Sequence, residues 1–166
     1  FAGRPPVIPG IGNAPGAEDK TRLVAKYNLG DFLGKDAIYP DAYISRRALA
    51  GCAARMAGAP GGAEPLSWLG LPADGGDTPA RNQEAYFMIM RLYEIRTGTK
   101  AGSLMIRDYG AAGGAAGPDG LDGRFRQSLA AAMETGIAGG ADMRADGPMT
   151  VSEALRVLAK VDNLTL

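Results

Sequence analysis

The segment Thr78–Gly98, TPARNQEAYFMIMRLYEIRTG, constrains this chain more than any other. Thr78 followed by Pro79 reads as a helix opening, a capping hydroxyl before proline at the first helical position, and Gly98 reads as its stop. Between them Tyr86, Phe87, Met88, Ile89, Met90, Leu92, Tyr93 and Ile95 cover nearly the whole circumference. A helix apolar on almost every side needs protein on every side, so this one is expected to be the spine of the fold.

The other segments supply its cover. Ala17–Asn28 opens with Glu18 and Asp19 and carries Leu23, Val24 and Tyr27 on one stripe, which predicts a short helix closed near Gly30. Pro40 is placed to start a second helix running to about Ala57, with Ile44, Leu49, Cys52 and Met56 on its apolar face. Its many alanines make it narrow enough for a close neighbour. Asp122 is placed to cap a helix over residues 124–135, with Phe125, Leu129 and Met133 in register and Gly136 as the stop. Thr150-Val-Ser-Glu153 is a capping-box pattern ahead of Leu155, Leu158 and Val161. The expected fold is all-α: an irregular bundle of four main helices plus a short first one.

Irregular backbone is the second theme. Gly (25) and Pro (11) are unusually frequent in these 166 residues, and they cluster at breaks such as residues 58–77 and 110–123. Residues 103–109 are too short a run to assign to strand or helix. Residues 1–16, FAGRPPVIPGIGNAPG, hold four prolines and four glycines with no helical pattern, and read as an extended tail ahead of one domain over 17–166. No internal repeat of fixed period is visible.

Composition excludes most chemistry. The chain has no histidine, so it has no imidazole base, nucleophile partner or metal ligand. Its single cysteine, Cys52, lies among apolar neighbours and reads as a packed residue rather than a thiolate. Lys+Arg and Asp+Glu are both 18, which gives none of the basic excess expected of a nucleic-acid binder. Arg46-Arg47 and Arg124/Arg126 are small basic spots that read as solvated faces. No apolar run approaches a membrane span, so the chain is expected beside a membrane at most.

Few patterns nominate a site. Asp142-Met-Arg-Ala-Asp146-Gly147-Pro-Met-Thr150-Val-Ser-Glu153 resembles an EF-hand calcium loop, with Asp142, Asp146, Thr150 and Glu153 as the oxygen ligands. Arg144 stands where an oxygen ligand belongs, Gly139-Gly140 interrupts the incoming helix, and no second loop pairs with it. A capped turn accounts for the same residues. Asp119 and Asp122 are explained by turn and cap chemistry, and Gly30–Asp36 lacks the spacing and hydroxyl of a phosphate loop. Trp68, beside Leu69, is the lone indole, either plugging the core edge or anchoring a partner.

These exclusions favour a non-catalytic structural subunit without cofactor, docking on other protein subunits. Its expected contact residues are Phe1, Arg4, Pro5, Pro6, Val7 and Ile8 of the tail, with Trp68 and Leu69. The Phe-led start looks like the segment that follows signal cleavage in plastid proteins of algae with secondary plastids. It extends the expectation to an accessory protein of a plastid photosynthetic complex. The alternatives are a bundle binding a small ligand in an apolar pocket lined by residues 86–95 and Trp68, and a degenerate calcium binder.

Overall fold

The computed structural model describes residues 17–34, 38–39, 41–98, 128, 131–133, 135–137 and 147–165. The tail 1–16, residues 103–109, the Gly-rich run 110–123, the start of the expected 124–135 helix, and Asp142 and Asp146 lie outside them. The described residues are mostly helical, as expected of an all-α fold. The helices are α1 (Ala17–Tyr27), α2 (Gly30–Leu33), α3 (Arg46–Met56), α4 (Pro65–Trp68), α5 (Asn82–Thr97) and α6 (Val151–Leu164). Residues 128 and 131–133 are helical as well. None of the helices among the described residues is long and apolar enough to cross a membrane.

Two helix starts differ from expectation for one reason. The helix expected from Pro40 begins at Arg46, and the one expected from Thr78 begins at Asn82. The residues ahead of each are extended and paired with one another. Three such segments, 42–45, 78–81 and 147–150, meet through the antiparallel bridges Tyr43–Thr150, Ser45–Pro79 and Arg81–Pro148. Their central residues close a ring of backbone hydrogen bonds. The Ile44 amide donates to the Met149 carbonyl (2.9 Å), Met149 to Ala80 (3.1 Å), and Ala80 to Ile44 (2.9 Å).

An outer set of bonds runs round the ring in the opposite sense. Arg46, Asn82 and Val151, each the first residue of a main helix, donate their amides to Thr78, Gly147 and Ala42 of the next segment round. Amides in the first turn of a helix have no partner within it, and here the neighbouring segment provides one. Side chains finish two of the three caps. The Ser45 hydroxyl accepts from the Ala48 amide and the Thr150 hydroxyl from the Glu153 amide, whereas Arg81 makes no side-chain cap.

Among the described residues, an extended segment leading into a helix therefore occurs three times, and these three units are arranged cyclically about the ring. The copies share an apolar register rather than residue identity. Leu49, Ala85 and Ala154 occupy one buried position; Cys52, Met88 and Val157 the next; then Ala53, Ile89 and Leu158; then Met56, Leu92 and Val161. That is the i, i+3, i+4, i+7 face of each helix, turned to a common core. Each copy is also preceded by a left-handed residue, Asn28, Gly70 or Gly136, followed by a buried aliphatic, Leu29, Leu71 or Ile137. In the first two copies that aliphatic donates its amide five residues back, Leu29 to Val24 and Leu71 to Leu66, which terminates the preceding helix as a Schellman motif does. The circle closes end to end, with α4 packed on α3 and α1 packed on α6.

The spine expected from residues 78–98 is α5, which lies between α3 and α6. Gly98 caps it in the left-handed conformation, as the sequence implies. Gln83 and Glu84 on its first turn are also buried, with the Glu84 carboxylate held 2.8 Å from the Arg46 guanidinium. Arg46 also donates to the carbonyls of Pro72 and Asp74, so this basic spot is an internal staple between α3, α5 and the loop before it. Arg47 pairs with Asp77 on the surface.

Candidate functional site: the Tyr39–Tyr43 groove

Most large apolar side chains of the described residues are inside. The exceptions are Tyr39 (68% exposed), Tyr43 (59%), Leu164 (57%) and Ile95 (39%), and of these the two tyrosines lie together. They border an open groove of about 190 Å³ whose walls are Phe32 and Leu33 of α2, Ser45 and Ala48 at the head of α3, and Val151 at the head of α6. The groove thus lies where the first and third units join, at the edge of the ring.

Local sequence builds each wall. The Schellman turn at Asn28-Leu29 ends α1 and starts α2, so Phe32 lands on α3. Gly51 makes that contact possible: a Cβ there would stand 2.4 Å from the Phe32 ring. The ring also lies under the Arg55 guanidinium, 4.4 Å from the centroid, and Arg55 is itself tied to the Asn28 carbonyl and the Asp31 carboxylate. Cation–π and ion-pair contacts together fix α2 as a rigid wall. Tyr43 is fixed differently, by its bridge to Thr150.

The pseudo-symmetry shows that the tyrosine is not demanded by the fold. The positions matching Tyr43 in the other two units are Pro79 and Pro148, both exposed. The backbone accepts proline there, so an aromatic ring held in water on one unit adds nothing that the ring of hydrogen bonds needs. Large apolar side chains left in solvent are informative in a way that buried ones are not. Among the described residues, the groove lining contains no charged side chain.

A second depression, about 230 Å³, lies between α1 and α6 over Asp19, Arg22, Lys26 and Asp162. Its deepest charge is already spent. The Asp162 carboxylate, on a residue only 6% exposed, accepts from the Tyr27 hydroxyl (2.6 Å), Arg96 (2.8 Å) and Lys26 (3.1 Å). Burial alone would raise the Asp162 pKa, but these three donors outweigh it and hold the carboxyl below its ordinary range. The network ties the C-terminal ends of α1, α5 and α6 together.

The residues singled out by sequence are scattered. Phe1, Arg4, Pro5, Pro6, Val7 and Ile8 lie outside the described residues. Leu69 is wholly buried and belongs to the core rather than to a contact surface, because α4 turns it inward. Trp68 is half-buried and packed on the same core. Of the calcium-loop residues, Thr150 is occupied as a helix cap, and the Glu153 carboxylate is bound by Arg156, whose hydrogen bond holds its pKa below the usual value. Among the described residues no group of three or more potential metal ligands occurs. Tyr86, Met88, Ile89, Met90 and Leu92 pack within the core. The Cys52 thiol is buried and pushed up to about 12 by desolvation, so it is no nucleophile.

Sequence reasoning missed Tyr39, Tyr43 and Phe32. The available sign was Tyr39-Pro40-Asp41-Ala42-Tyr43, two tyrosines around a proline in a segment read as the start of a helix. No family model matches the chain, and no curated protein matches it.

Proposed function

We propose that this chain is a non-catalytic attachment module, a structural subunit that docks on a larger protein assembly through the Tyr39–Tyr43 groove. The single observation that carries the reading is the exposed tyrosine at a position where the two equivalent units hold proline. Tyrosine is favoured in contact surfaces because it offers a large rigid apolar face and a polar tip at low entropic cost. The uncharged lining matches the charge-poor centre of protein interfaces. The chain's lack of histidine and the pairing of its buried carboxylates, Glu84 with Arg46 and Asp162 with Arg96, support a binding role over a chemical one. The groove's chemistry does not depend on the plastid setting expected from the first residues.

The test uses the pseudo-symmetry as its control. A photo-crosslinking amino acid is placed at position 43, and separately at positions 79 and 148, in the full chain exposed to an extract of its source. A discrete adduct at 43 that is absent at 79 and 148 supports the reading and names the partner by mass spectrometry. Equal labelling at all three positions, or none at 43, ends it.

A further inference from the structure

We infer that the partner enters the Tyr39–Tyr43 groove as a proline-rich strand in the polyproline II conformation, with a cation that meets Asp41. The inference rests on the groove being the docking surface proposed above, and it names the chemistry of what docks there. Its first support is size. Tyr39 and Tyr43 are 68% and 59% exposed, which opens about 250 Å² between them at about 200 Å² for each side chain. A second copy, or any other folded face, needs about 800 Å² on each side to hold. The groove volume of about 190 Å³ is also below the ~300–1,000 Å³ that enclose a small molecule. A narrow chain laid along the surface fits both figures.

The second support is the backbone of the wall. A β-strand added here would need unused amides and carbonyls along residues 42–46, and most are taken. The Ala42 carbonyl accepts from Val151, the Ile44 amide and carbonyl serve Met149 and Ala80, the Ser45 carbonyl accepts from Leu49, and the Arg46 amide donates to Thr78. Little beyond Tyr43 itself is left to pair, which is too short for a ladder. A polyproline II strand needs no ladder, and it is stiff before it binds, so docking costs it little entropy. Such strands set their proline rings against aromatic side chains, and the groove supplies Phe32, Tyr39 and Tyr43.

The third support is charge. Among the described residues, the neighbouring charges are matched within the chain: Asp31 with Arg55, Arg46 with Glu84, and Arg47 with Asp77. Asp41, exposed and lying between the two tyrosines in sequence, is the carboxylate left for a partner's cation. The match is of an apolar strand to an uncharged floor, and of one charge to one opposite charge at the rim.

The experiment titrates the full chain with synthetic peptides and follows its amide NMR signals. The probes are arginine followed by nine prolines, ten prolines alone, and arginine followed by nine alternating glycines and serines. The first should give saturable shifts at Tyr43, Ala48 and Val151, with Lys26 and Asp162 beside the second depression unmoved. The glycine-serine peptide, equal in charge but flexible, should bind about tenfold more weakly. Tyr43→Pro, which copies the residue of the other two units, should weaken the first peptide about tenfold, and Tyr39→Ala repeats that test on a residue outside the ring of bonds. Asp41→Asn should weaken it about threefold and leave ten prolines unaffected. Equal binding of the glycine-serine peptide overturns the inference, as do shifts that avoid the groove. Groove shifts that grow with protein concentration and no peptide assign the surface to a second copy, and overturn it as well. If the proline peptides fail while position 43 still cross-links a partner, this inference falls and the docking surface stands for a partner of other chemistry. If both fail, the docking reading falls with it.

Discussion

Removing the Asp162 carboxylate tests how the three helix ends are held together. Asp162→Ala deletes the acceptor of three hydrogen bonds and leaves Arg96, whose side chain is 17% exposed, next to Lys26 and a Tyr27 hydroxyl that keeps only the bond it accepts from Arg96. Breaking a buried charge pair from one side typically costs about 3–5 kcal/mol. Lys26 adds little to that because its side chain is 44% exposed. The low end, about 3 kcal/mol, is expected here because water still reaches the rim. With a urea slope of about 2 kcal/mol per molar, the unfolding midpoint moves down by about 1.5 M. Helical circular dichroism and Trp68 fluorescence should report the same shift.

The pH dependence carries a sign. The folded-state pKa of Asp162 is depressed, so its contribution is fully present above the unfolded carboxylate value of about 3.9 and disappears as pH falls through the folded value. The gap between wild type and Asp162→Ala should be widest at neutral pH and close in acid. A midpoint shift below about 0.3 M with an unchanged slope would refute the reasoning, as would a gap that fails to narrow in acid. A Lys26→Met variant that matched Asp162→Ala would equally show that burial is not what gives the network its strength.

Four further predictions follow from packing and exposure. Gly51→Ala gains about 1 kcal/mol of helix propensity but drives a methyl into the Phe32 ring, so a net loss of about 1–2 kcal/mol is expected by thermal or urea melts. Ser45→Ala and Thr150→Ala should each cost about 1 kcal/mol, because each removes an acceptor from a first-turn amide. Cys52 should react with a thiol reagent only at the rate at which the native chain opens, which a comparison with hydrogen exchange in α3 will check. Tyr43→Ala should leave stability within about 0.5 kcal/mol of wild type while abolishing partner capture, since its side chain is largely in water.

The sequence disclosed the helices better than their arrangement. The left-handed Gly98 and Gly136 and the Thr150 cap are local events written in local residues and are found where expected, whereas α1 closes at the left-handed Asn28 and Gly30, expected as its stop, opens α2. The starts of α3 and α5 were anticipated too early because Pro40 and Thr78-Pro79 look like helix openings. They belong instead to segments whose extended form is dictated by partners distant in the chain. The threefold relation left no readable period. Its copies keep only apolar register, with Leu, Ala and Ala at one core position and Cys, Met and Val at the next. About twice as many residues separate the second copy from the third as separate the first from the second. The groove was hidden for a different reason: a tyrosine's exposure depends on what fails to cover it, which no local pattern encodes.

The ring of backbone bonds also orders events while the chain is being made. Segments 42–45 and 78–81 can join as soon as both leave the ribosome, through Ala80 to Ile44 and Arg46 to Thr78. The Ile44 amide and the Ala80 carbonyl must then wait, because their partner is Met149, in the last of the three segments to be synthesised. A nascent chain halted anywhere before that point carries two polar groups facing an empty third place, along with the apolar faces that α6 would cover. Completion is thus a single late closure. Truncated products should be conspicuous to proteases and chaperones in a way that the finished protein is not.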